Sequence, residues 1–250
     1  MKLIKNRYIY LAIVFIVCLI TLFIAYVYNL FIKIETEISR RPSWIDPALD
    51  KVIEKKQNTS ILSKIIDILF GIFVPIFDNN IELFCNWSCS EKHMDDIVNL
   101  IKEKDIKIDH VIGIKSGGAI MTRYLAEKLN VDYSYMKVQD KDFNCNKTEF
   151  DSIKRVIKTW LGIKREYMVC ETIDINLTGK TVLVFDEQTA TGTTMKTAID
   201  HIVNEKHPKK AYPVVISKTV PVYGTYNKSD LDLLYVSTTK YLIWPWGYNN

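Results

Sequence analysis

Two textures alternate along this chain. Residues 8–32 carry no charged position, whereas from about residue 91 amphipathic stretches with helical spacing exchange with short, continuous apolar runs. The first stretch, YIYLAIVFIVCLITLFIAYVYNLFI, is 25 residues long and is bounded by Arg7 and Lys33. At about 1.5 Å per residue it predicts about 37 Å of helix, more than a hydrocarbon core of roughly 30 Å requires. Tyr8, Tyr10, Tyr26 and Tyr28 fall near its two ends, where amphipathic rings favour the headgroup level. The run is too long for a signal-peptide core and no small-x-small cleavage site follows it, so the expectation for residues 1–32 is an N-terminal tail and an uncleaved transmembrane helix. Lys2, Lys5 and Arg7 on one side nearly balance Lys33, Arg40, Arg41 and Lys51 on the other, and charge does not orient the span.

Residues 33–90 mix charge, Pro and Trp without sustained periodicity and read as a juxtamembrane linker. Within them, 61–77 is strongly apolar but broken by Lys64, Asp67, Gly71 and Pro75, which predicts an interfacial or core-packing helix rather than a second span. Cys85, Cys89 and His93 are spaced by four and stack on one helical face. Three such donors without an evident fourth read as ordinary helix positions, not as a metal site.

The segment 91–250 predicts a single α/β domain with a parallel sheet and helices on both faces. Met94, Ile97, Val98, Leu100 and Ile101 set a helix over 91–104; HVIGI at 110–114 is a short buried strand, followed by a helix over 119–130 and a strand over 131–138. Residues 139–176 are charged and irregular and predict a mobile excursion or small subdomain. The strand TVLVFD at 181–186 is the most apolar of the set; a helix over 195–206, strands over 211–217 and 231–237 and an aromatic tail complete the order.

Composition narrows the class. Forty-eight per cent apolar and 25% charged residues exclude a disordered chain, and the net charge of +4 falls to +1 without the three cations before residue 8. No basic footprint for nucleic acid is present. Five thinly spread cysteines do not make a disulfide scaffold.

The chemistry concentrates in VLVFDEQTATGTT, residues 182–194. A buried strand ends in Asp186 and Glu187; a hydroxyl-rich turn with Gly192 then opens onto a helix. Backbone N–H groups and the positive end of the helix dipole suit a phosphate monoester, Thr191, Thr193 and Thr194 add hydroxyl donors, and the carboxylates can accept hydrogen bonds from ribose hydroxyls. The Gly-Lys-Ser/Thr ending of a Walker loop is missing.

This pattern resembles the phosphoribosyl pyrophosphate (PRPP) signature of type I phosphoribosyltransferases. The resemblance implies that Asp186 and Glu187 bind the ribose hydroxyls, and with them a PRPP-borne Mg²⁺ indirectly, and that Thr189, Ala190, Thr191, Gly192, Thr193 and Thr194 cradle the 5-phosphate. HVIGIKSGG resembles the family's first strand and diphosphate loop, which implies PRPP contacts at Lys115, Ser116, Gly117 and Gly118. Lys218 looks like the lysine with which 6-oxopurine enzymes hold the purine oxygen. The tail YLIWPWG resembles that of bacterial xanthine-guanine enzymes, implying Tyr241 as the stacking ring and Leu242 as a backbone contact to the base; an aromatic tail packed on the core is the plainer reading.

Together the anchor and the resemblance predict a membrane-anchored enzyme that joins PRPP to a nucleobase, purine-like by Lys218 and the tail, releases pyrophosphate with Mg²⁺, keeps its catalytic domain in the cytosol, and pairs as a homodimer. Asp186, Glu187 and Lys218 are the residues expected to carry catalysis. Two departures stand out: Ala190 occupies a place where 6-oxopurine enzymes have an aspartate, and Ser116 one where purine-salvage members are usually basic. They keep open the alternative of a non-catalytic, membrane-tethered regulator that binds PRPP or a nucleotide.

Overall fold

The computed structural model describes residues 14–29, 32, 36, 42–50, 85–115, 117–141, 166–189, 192–218, 235–238, 242, 244 and 246. Helix α1 (Trp87–Glu103) leads into β1 (His110–Lys115), α2 (Gly118–Leu129), β2 (Asp132–Asp140), β3 (Tyr167–Glu171), β4 (Thr181–Thr189), α3 (Thr193–Lys206), β5 (Lys210–Lys218) and β6 (Tyr235–Thr238). The six strands form one sheet in the order β3-β2-β1-β4-β5-β6. Every neighbouring pair is parallel except β2 with β3.

Burial explains the order. The central strands β1 and β4 are apolar on both faces, as a parallel sheet covered on both sides demands. On one face, Met94, Ile97, Val98 and Ile101 of α1 and Ile120, Tyr124 and Leu125 of α2 pack on Val111, Leu183, Phe185, Val214 and Ile216. On the other, Met195, Ala198 and Ile202 of α3 close over Ile112, Ile114, Val182, Val184 and Val215. The alternation along β4 thus feeds two cores.

Several sequence expectations are corrected. No helix among the described residues is long and apolar enough to cross a membrane. The anchor over 8–32 and the single-pass membrane localisation built on it therefore fall. The linker assigned to 33–90 also contributes to the domain: Ile45 and Leu49 join the core beside α1, held by a 3₁₀ turn (Pro47–Leu49) that Asp46 caps. Helix α1 starts at Trp87, four residues before its expected start, because Asn86 Oδ1 accepts from Cys89 N at 2.8 Å and fixes the first turn. Part of the excursion at 139–176 is strand, since β3 pairs antiparallel with the end of β2. The apolar stretch 61–77 lies outside the described residues.

His110 opens β1, 4% exposed, with Nε2 3.0 Å from Ser134 Oγ on β2. Burial, and then the nearby Lys180, hold the imidazole below its ordinary value. The folded state therefore favours neutral His110: its stability is complete above the unfolded pKa near 6.5 and is lost as pH falls through that value toward the folded one. Denaturant midpoints measured from pH 7.5 to pH 5 should fall with acidity in the parent chain and fall less steeply in His110→Gln. Equal slopes would remove His110 as the titrating group.

Candidate functional site

In this strand order the chain turns outward in opposite directions from β1 and from β4. The connection after β1 enters α2 on one face, and the connection after β4 enters α3 on the other. Where neighbouring parallel strands diverge in this way, a crevice opens at their carboxyl ends. Both glycine-bearing loops singled out in the sequence flank it, with β1 and β4 in register from His110 opposite Val182 to Gly113 opposite Phe185.

The carboxylates sit deeper than the sequence suggests. Strand β4 continues to Thr189, so Asp186 and Glu187 lie within it rather than at its end, 9% and 6% exposed. Asp186 Oδ1 accepts from Glu187 N at 3.1 Å. The Glu187 carboxylate lies directly over the α-carbon of Gly117, where any side chain would occupy the same space. Gly118 approaches the strand backbone itself: a Cβ there would stand 2.6 Å from the Phe185 carbonyl oxygen and 2.8 Å from Asp186 Cα. Two successive glycines are therefore a steric requirement of bringing α2 onto β4. Gly117 is also the N-cap of α2 and carries no side-chain cap, so the helix's positive end faces the Glu187 carboxylate and offsets part of the cost of burying it.

Across the crevice, Gly192 caps α3 with φ of 76°, a left-handed conformation that favours glycine, and Lys196 N donates to its carbonyl at 2.8 Å. The N–H groups of the first turn of α3 have no intrahelical acceptor by geometry and face the end of β4. Thr193 and Thr194 stand there half-buried, and Thr189, buried, ends the strand. Ala190, Thr191, Ser116 and Tyr241 lie outside the described residues, as do Lys154, Arg155, Lys158, Lys164 and Arg165, the basic residues of the excursion at 139–176 that the family resemblance suggests for pyrophosphate.

Lys218 ends β5 opposite Thr189 in register, half-buried, and so stands beside the β4–α3 turn. Lys115 turns sideways instead. Its ammonium pairs with Glu171 of β3 at 2.5 Å, and Lys137 of the intervening strand lies 3.8 Å from the same carboxylate. The hydrogen bond from Lys115 holds the Glu171 carboxyl below the ordinary carboxylate range. Glu171 was missed in the sequence because it falls in the segment read as irregular. A signal was available, since Lys115 and Lys137 become direct cross-strand neighbours and two like charges there require a counterion.

Of the tail, Leu242 is fully buried in the core, and Trp244 and Trp246 are buried with it, stacked at 5.0 Å and 9°. Trp244 Nε1 donates to Gln188 Oε1 at 3.4 Å, which draws the tail over the end of β4 next to Glu187. Gln188 is the second residue that the sequence did not single out; its position between a carboxylate and a hydroxyl-rich turn was the available signal. As a donor set, Asp186 and Glu187 offer hard carboxylate oxygens, which fit Mg²⁺ rather than a soft metal.

The family described as the phosphoribosyl transferase domain matches residues 87–228. Among solved structures, a purine phosphoribosyltransferase from Pyrococcus horikoshii is similar at 16% identity with a TM-score of 0.50, covering 67% of this chain and 95% of its own. A hypothetical protein from Neisseria gonorrhoeae with bound ppGpp is similar at 16% identity and a TM-score of 0.49, over 66% of this chain and 88% of its own. A hypoxanthine-guanine phosphoribosyltransferase from Bacillus anthracis is similar at 19% identity and a TM-score of 0.42, over 61% and 78%. No curated protein sequence matches this chain.

The two glycines make separable demands. Gly118→Ala forces a methyl against backbone and should cost about 1–3 kcal/mol of stability, whereas Gly117→Ala meets only the mobile end of Glu187 and should cost less. Chemical denaturation of both variants checks the order, and a larger loss for Gly117→Ala would contradict this packing.

Proposed function

We propose that this chain, which belongs to the phosphoribosyltransferase family and is an enzyme of that type, joins the phosphoribosyl group of PRPP to a purine-like base at the crevice between β1 and β4. PRPP-dependent phosphoribosyl transfer follows from the family; the assignment of residues and the nature of the base are our reading. One observation carries it: the buried Asp186–Glu187 pair lies against the Gly117–Gly118 loop while Gly192 opens α3 across from it.

In this reading the ribose hydroxyls donate to Asp186 and Glu187. The 5-phosphate accepts from the backbone N–H groups at the start of α3, with the hydroxyls of Thr193 and Thr194 added, and the signature gives Thr189, Ala190, Thr191 and Gly192 the rest of the cradle. Ser116, Gly117 and Gly118 border the diphosphate, where the absence of side chains at both glycines lets the backbone approach, and Lys115 adds its backbone alone, its ammonium being paired with Glu171. Mg²⁺ carried with PRPP supplies charge neutralisation for the departing diphosphate. The base nitrogen forms its bond to C1 as the C1–oxygen bond to pyrophosphate breaks, through a transition state with oxocarbenium character. What the chain contributes is the holding of both partners in line and the placement of negative groups near the developing positive charge.

Lys218 stands where a donor can meet a carbonyl oxygen on the base, which supports a 6-oxopurine-like ring. The family resemblance puts Tyr241 and Leu242 at the base as well, and Trp244, two residues beyond Leu242, is tied to Gln188. Purine salvage is the resulting role.

Asp186→Asn combined with Glu187→Gln should weaken PRPP binding roughly 100-fold or more while the circular dichroism of the chain stays unchanged. Calorimetry with PRPP and Mg²⁺ measures the first, and unchanged affinity would overturn the ribose assignment. Pyrophosphate release measured against a panel of purines and pyrimidines tests the base. Release with a 6-oxopurine that Lys218→Met abolishes is the expected result, and release with pyrimidines alone would overturn the base assignment.

A further inference from the structure

The three soft donors that the sequence presents at intervals of four converge in space. Cys85 precedes α1, Cys89 lies in its first turn, and His93 one turn further on. Their ligand atoms all lie within 4.8 Å of one another, and the two sulfurs are 2.6 Å apart. The convergence is set locally: Asn86 caps the helix through Cys89 N at 2.8 Å, so the residue before the cap and the third residue after it are held close together. Cys85 is fully buried in the core beside Trp87, Cys89 packs against that core half-buried, and His93 is half-buried with its Nε2 buried. Ser90 Oγ lies 3.5 Å from Cys85 Sγ.

We propose that Cys85, Cys89 and His93 bind one zinc-class metal ion, leaving a fourth coordination position for water or an anion. Two thiolates and an imidazole select Zn²⁺ or Cu⁺ over Mg²⁺, so this site is chemically opposite to the hard carboxylate pair of the transferase crevice. The geometry accommodates it. Zn–S bonds near 2.3 Å and a Zn–N bond near 2.0 Å in a tetrahedron put the donors roughly 3.8 Å apart, inside the observed envelope, after the sulfurs separate by about 1 Å. The sequence spacing alone argued against a metal because no fourth ligand was evident. Three convergent ligands with an open position are nevertheless a complete protein contribution for zinc. Loading releases the thiol protons and ties the residue ahead of α1 to its first two turns, so the bound ion stabilises the fold by mass action.

The test uses the full chain, reduced and stripped with a chelator, then titrated with Zn²⁺ against a chromophoric chelator and with Co²⁺ as a spectroscopic probe. We expect one ion per chain, sulfur-to-cobalt charge-transfer bands with tetrahedral d–d bands, and a rise in Tm on loading. Cys89→Ser and His93→Gln, both at half-buried positions, should each weaken binding roughly 100-fold or more. Cys170→Ser, at an exposed thiol, should leave it unchanged. Should a variant unfold, the cobalt spectrum of the parent chain decides. No saturable uptake, cobalt bands without sulfur character, unchanged affinity in both ligand variants, or a Cys85–Cys89 disulfide that persists in reducing buffer would each overturn the site.

Discussion

Everything at the site depends on how closely the start of α2 approaches β4. Gly118 stands against the backbone of Phe185 and Asp186, and Gly117 lies beneath the Glu187 carboxylate. With a side chain at Gly118 the helix would stand off the strand, and the crevice would widen at the point where β1 and β4 send their connections to opposite faces; one at Gly117 would displace the Glu187 carboxylate instead. Contact at that distance also supplies the electrostatics, because an uncapped helix start beside a buried carboxylate lowers the cost of keeping Glu187 in a water-poor place. The packing requirement and the charge requirement are met by the same two residues.

A second constraint is charge balance along the carboxyl edge of the sheet. Lys115 and Lys137 are direct neighbours on parallel strands, an unfavourable pairing that Glu171 relieves from the antiparallel β3. The pair is partly exposed, so its contribution to stability is small. Its consequence is positional, since it directs the Lys115 ammonium along the sheet and leaves the glycines to border the crevice through their backbone. The single antiparallel strand therefore has a function in an otherwise parallel sheet.

Most of the α/β domain was legible because its strands are buried on both faces and its helices on one. Continuous apolar runs and 3.6-residue periodicity come directly from that burial, and HVIGI, TVLVFD and the stripe of α1 could be placed to within a few residues. The signature around Asp186, Glu187 and Gly192 was legible for a different reason: a left-handed residue at a helix start and carboxylates on a core strand are both costly without a purpose. Less legible was whatever depends on partners distant in sequence. Glu171 as a counterion to Lys115 and Gln188 as an acceptor for Trp244 each depend on such a distant partner. The charge-free run over 8–32 misled in the opposite direction, because hydropathy alone does not fix a spanning helix, and no helix among the described residues is long and apolar enough to cross a membrane.

The core also continues beyond the residues that the family match covers. Asp46 accepts from Tyr135 at 2.8 Å and Tyr133 at 3.2 Å; burial pushes its carboxyl up, but these bonds and the Ala48 amide outweigh burial and hold it low. Trp44 bonds Glu91 at 2.7 Å and sets its ring edge-on to Trp87, which meets Trp246, which stacks on Trp244, which reaches Gln188. An unbroken aromatic path thus connects residues well ahead of α1 to the end of β4. Because such rings pack with little free volume, the position of Gln188 depends on both termini of the described domain being seated. Residues 42–50 therefore belong to the structure that shapes the crevice, although their sequence, with Pro, Trp and charge, reads as part of a linker.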